Sequence, residues 1–68
     1  MGLYQRAIST LQKLTTTLEK QPDSLTKAIS FRSFGDALLI AGDIKQAEAN
    51  LNISFKISEQ IKFRSQRN

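Results

Sequence analysis

FRSFGDALLIAGDIKQAEANLNISF, residues 31–55, is the stretch on which the fold turns. It reads as two helices joined by a tight turn at Ala41-Gly42-Asp43. Gly35 lies inside the first of them, where glycine costs about 1 kcal/mol relative to alanine. Its presence there is best explained by the close approach of another helix, and Ala47 in the second helix is the matching small residue. Gly42 is placed to end the first helix in the left-handed conformation. Asp43 is placed to cap the second, with Gln46 three residues on to complete a capping box.

Working outward, the helix before the turn spans about residues 24–41 and follows a cap at Asp23 or Ser24. It carries Leu25, Ala28, Ile29, Phe31, Phe34, Ala37, Leu38, Leu39 and Ile40, too many for one narrow stripe, so two packed faces are implied. Gln21-Pro22 precedes it and closes an earlier helix over about residues 3–20, because the residue before a proline avoids helical angles and proline lacks an amide. In that first helix Tyr4, Ala7, Ile8, Leu11, Leu14 and Leu18 recur at steps of three and four on one face, and Thr15-Thr16-Thr17 weakens it locally. The third helix runs over about residues 44–62, with residues 63–68 as a frayed tail. One of its stripes, Ile44, Ala47, Leu51 and Phe55, can bury against the preceding helix. The other, Ala49, Ile53, Ile57 and Ile61, has no obvious partner within so short a chain. The fold class is therefore all-α, three antiparallel helices in a single module over residues 1–68.

Composition narrows the function. The chain of 68 residues contains no Cys and no His, which removes disulfides, thiolate metal sites, the usual general base and the usual metal ligand. Its six acids, Glu19, Asp23, Asp36, Asp43, Glu48 and Glu59, are scattered singly, so no metal or other cofactor is expected. Ser9, Ser30, Ser33, Ser54 and Ser58 have no histidine to activate them, and no enzyme is expected. The net charge of +4 is mild, and only Lys62, Arg64 and Arg67 make a locally basic end. No apolar run approaches the ~18 residues of a membrane span. The N-terminal region lacks the apolar core of a secretory signal, and a cytoplasmic location is expected.

Residues 2–21 align on residues 42–61 at an offset of 40, with Gly2 on Gly42, Ala7 on Ala47, Leu11 on Leu51 and Glu19 on Glu59. A fixed offset of this size marks a helical repeat. Around the turn the chain resembles a tetratricopeptide repeat (TPR): Phe31, Phe34-Gly35, Leu38, Gly42, Ala47 and Leu51 fall in the order and spacing of that family's small and large residues. Ser54 replaces the usual small Ala near the end of the pair, and Glu59 replaces the usual Pro. The resemblance covers one complete repeat, about residues 28–61, and the second half of a preceding one, about residues 2–20. The 40-residue period exceeds the ~34 of ordinary repeats. It looks like the long repeats of kinesin light chains and of arrays in bacterial multidomain proteins.

The resemblance implies a solenoid fragment that serves as a non-catalytic protein-interaction scaffold, with a protein or peptide as partner. Its groove would be lined by Ile29, Arg32, Ser33, Asp36 and Ile40. Asp36 stands where a carboxylate-gripping subclass has Asn, so that mode is not expected; an Arg32–Asp36 ion pair on a solvated surface is the plain alternative. The row Ala49, Ile53, Ile57 and Ile61 implies either a longer array or self-association of copies through that row. The competing reading is a small basic helix-turn-helix DNA binder. Lys45, Lys56 and Lys62 do not form a clustered base-reading set, so nucleic acid is not the expected partner.

Overall fold

The structure, a computed structural model, describes the backbone of residues 2–67 and the side chains of residues 5–64. The side chain of Tyr4 and those of the tail from residue 65 lie outside the described residues. Three helices form, α1 (Gly2–Leu18), α2 (Leu25–Ile40) and α3 (Ile44–Arg67), with no strand among the described residues.

The boundaries have local causes. α1 stops at Leu18 rather than 20. Its last amides tighten into three-residue bonds, Lys20 N–H to the Thr17 carbonyl at 3.4 Å and Gln21 N–H to that of Leu18 at 3.0 Å. The hydroxyls of the preceding threonine run bond back into the helix, those of Thr15 and Thr16 to the Gln12 carbonyl and that of Thr17 to Lys13. Ser24, in extended conformation, caps α2 by accepting from Lys27 N–H at 3.1 Å. Asp23, the alternative cap, turns instead to the Lys27 ammonium.

The turn between α2 and α3 is a Schellman motif. Gly42 has φ 91° and donates to Leu39 O at 3.1 Å, while Asp43 N–H reaches Leu38 O at 2.9 Å. Asp43 Oδ1 accepts from Gln46 N–H at 3.3 Å, so the capping box is half made. Its return arm would use the Asp43 amide, which the Leu38 carbonyl already holds. α3 then continues past 62 to Arg67, where a frayed tail was expected: no proline or glycine interrupts residues 62–67, and cations suit a helix C-terminus.

α2 is the middle element. It packs on both α1 and α3, and no backbone pair of α1 and α3 comes within 8 Å among the described residues. Two clusters form along its length, both reaching α3. Phe34 and Leu38 join Ala47 of α3, and Ile8 and Leu11 of α1 pack on them. Ala28 and Phe31 join Ile57, with Ile61 against them. The result is a thin plate of 47 × 20 × 14 Å.

Candidate functional site

The six expected packing residues flanking the turn meet at the α2–α3 contact. Phe31, Phe34, Gly35, Leu38 and Ala47 are buried, Ala47 completely. Leu51 is half-buried against Gly35: a Cβ on that glycine would lie 2.7 Å from Leu51 Cγ and 3.2 Å from the Ala47 carbonyl oxygen. The close approach is therefore backbone to side chain, and the seventh residue, Gly42, serves the turn instead. Further along, Ser54 is buried and its hydroxyl donates to Ala28 O at 2.7 Å, fastening the helices a second time.

These two fastenings set the roll of α3 about its own axis, and that roll corrects the expected stripes. Ile57 is 5% exposed and Ile61 packs beside it, both against α2. The row Ala49, Ile53, Ile57 and Ile61 is thus divided: its last two members have an intramolecular partner, and only Ala49 and Ile53 face outward. Ile44 and Phe55, expected to bury, stand 57% and 64% exposed. In α1 the contact with α2 runs along Ile8, Leu11, Thr15 and Leu18, so Thr15 is buried while Ala7 and Leu14 face out.

The outer side of α2 presents Ile29, Arg32, Ser33, Asp36 and Ile40 to solvent. Leu25 extends this face toward the N-terminus of the helix. The Arg32–Asp36 ion pair does not form; among the described residues the one salt bridge is Lys27–Asp23, at 3.2 Å. Arg32 leans instead over the cleft between α2 and α3, which it lines with Leu51, Ser54, Phe55 and Ser58.

Lys27 is the feature that sequence patterning did not signal. It is 8% exposed, and its ammonium donates to the carbonyls of Glu19 (3.5 Å) and Gln21 (3.0 Å) and to Asp23 Oδ1 (3.2 Å). A cation on the free carbonyls beyond a helix end is favourable both as a cap and against the helix dipole. No buried side-chain polar atom among the described residues lacks a partner. No group of three or more acidic or metal-ligating side chains gathers among the described residues. No described helix is long and apolar enough to cross a membrane. Compared with known proteins, the chain matches no family model, no curated protein and no solved structure.

Proposed function

We propose that this chain is a non-catalytic protein–protein interaction module of TPR type, working in the cytoplasm by self-association or within a longer array. The observation that carries the reading is the amount of surface left open. A chain of 7.6 kDa that folds into a globule exposes about 4,300 Å². This plate exposes 5375 Å². Among the described residues, Leu25, Ile29 and Ile40 on α2 and Ile44 and Phe55 on α3 are all more than half exposed. Large outward apolar residues on rigid helices are what a helical repeat offers to its neighbours and ligands.

The test is selection of a displayed peptide library against the full chain, with an Ile29→Glu/Ile40→Glu variant as the counter-target. Both residues are solvent-exposed, so the variant keeps its fold, which circular dichroism checks. Peptides that bind the parent and not the variant support the reading. Failure to enrich any such peptide removes the α2 face as a ligand surface.

A further inference from the structure

We propose that two copies of this chain pair through the outer row of α3, antiparallel and two-fold symmetric about Phe55. The proposal rests on the interaction-module reading and gives it a surface and an occupant.

The surface follows from the internal repeat. A shift of 40 residues carries Ile8, Leu11, Thr15 and Leu18 onto Glu48, Leu51, Phe55 and Ser58. In α1 these positions form the row that packs against α2, with Thr15 buried and the other three half-buried. In α3 the corresponding row is open: Glu48, Phe55 and Ser58 are exposed, and only Leu51 is half-covered. The chain thus leaves open on α3 the positions that it covers, on α1, with an antiparallel helix.

The occupant follows from the register. Ile44, Glu48, Leu51, Phe55, Ser58 and Lys62 advance by alternating steps of four and three, the seam spacing of paired helices. Glu48 and Lys62 each lie seven residues from Phe55. Laid antiparallel about that residue, the two copies bring Glu48 opposite the second copy's Lys62, twice. Laid parallel in the same register, they oppose Glu48 to Glu48 and Lys62 to Lys62. Neither residue has an ion pair among the described residues, and the two opposite charges favour the antiparallel partner. At the axis the two Phe55 rings meet beside the cleft of about 260 Å³ that Arg32, Leu51, Ser54 and Ser58 line. The small serines leave room for a ring there, and the Arg32 guanidinium offers it a cation. A single helix pair is a small interface, which places the dissociation constant in the micromolar range or weaker.

Sedimentation equilibrium of the full chain from about 5 to 500 µM covers that range, with circular dichroism on the same samples. The expected result is a monomer–dimer equilibrium. Phe55→Glu weakens it by about 30-fold or more, as loss of a central aromatic anchor does. Glu48→Lys and Lys62→Glu each weaken it several-fold, and the two together restore it. A dimer indifferent to Phe55→Glu, or not restored by the double exchange, overturns this pairing and leaves self-association through another face. A helical monomer at every concentration overturns the pairing and self-association together, while the peptide selection on α2 still decides whether the chain is an interaction module.

Discussion

The Ser54 hydroxyl reaches the Ala28 carbonyl across the α2–α3 contact at 2.7 Å, joining residues 26 apart in the chain. That carbonyl also belongs to the helical ladder of α2, so it keeps a partner when the hydroxyl is removed. Ser54→Ala then loses a net hydrogen bond of about 0.5–1.5 kcal/mol and regains about half a kcal/mol of helix propensity, a small destabilisation. Ser54→Val adds bulk at a buried contact and costs about 1–3 kcal/mol. Urea titrations of both variants test the order; a valine variant as stable as the alanine one would mean that the helices do not approach closely there.

Gly35 and Leu51 make the other close contact. Gly35→Ala gains about 1 kcal/mol of helix propensity but forces Leu51 and the Ala47 carbonyl to give way, at about 1–3 kcal/mol, so the net sign is destabilising. Leu51→Ala makes the space. The Gly35→Ala/Leu51→Ala pair should therefore be less destabilised than the sum of its single variants, by about 1 kcal/mol. A strictly additive double-mutant cycle in chemical denaturation would remove Leu51 as the obstacle.

Lys27 tethers the linker through three acceptors. Lys27→Met keeps the buried stem and deletes the charge-assisted bonds, each of a kind worth about 1.5–3 kcal/mol. For a domain of this size, 1 kcal/mol moves the melting temperature by about 4–8 °C. Asp23→Asn neutralises the half-buried member of a single pair, keeps an acceptor oxygen, and should cost less than about 1 kcal/mol. Thermal melts of the two variants are expected to rank Lys27→Met well below Asp23→Asn; equal melts would mean that the carbonyl contacts contribute nothing.

Gly42 is a conformational requirement without a spatial one. Its φ is 91°, and a Cβ there meets nothing within 4 Å. Gly42→Ala should cost about 1–2 kcal/mol through the backbone alone. D-alanine, installed by chemical synthesis, prefers this conformation and should instead stabilise by about 0.4–1 kcal/mol by restricting the unfolded chain. Destabilisation by both enantiomers would place the cause in packing.

The sequence was most legible where the cause is local. Gly42, Asp43 and Ser24 announce the turn and the caps, and the pairing of Gly35 with Ala47 announces the helix contact. The roll of α3 was not legible. Apolar residues surround that helix almost completely, from Ile44 and Phe55 through Leu51 and Ala47 to Ile57 and Ile53, so periodicity could not select a face. The selection is made by Ser54, a polar side chain that hydropathy discounts, and by its distant acceptor. Lys27 was missed because its partners are mostly carbonyls, which carry no residue signature; Asp23, four positions earlier, was the one available sign. Thr15, another polar side chain that hydropathy discounts, was missed: its hydroxyl is satisfied within its own helix, which frees it to be buried.

The backbones of α1 and α3 stay apart, with α2 lying between them. The plate is therefore assembled in series, and its cooperativity is not obliged to span the whole chain. α1 can swing open while Ala28, Phe31 and Ile57 stay closed and the Ser54 bond holds, and each such opening bares Phe34 and Leu38 on one side only. Amide protons of α1 then exchange with solvent through a sub-global opening of lower free energy than that of α2 and α3. The same opening transiently turns the middle helix into a terminal one, so the first step of unfolding creates an apolar helix face able to accept a stranger's helix in place of its own.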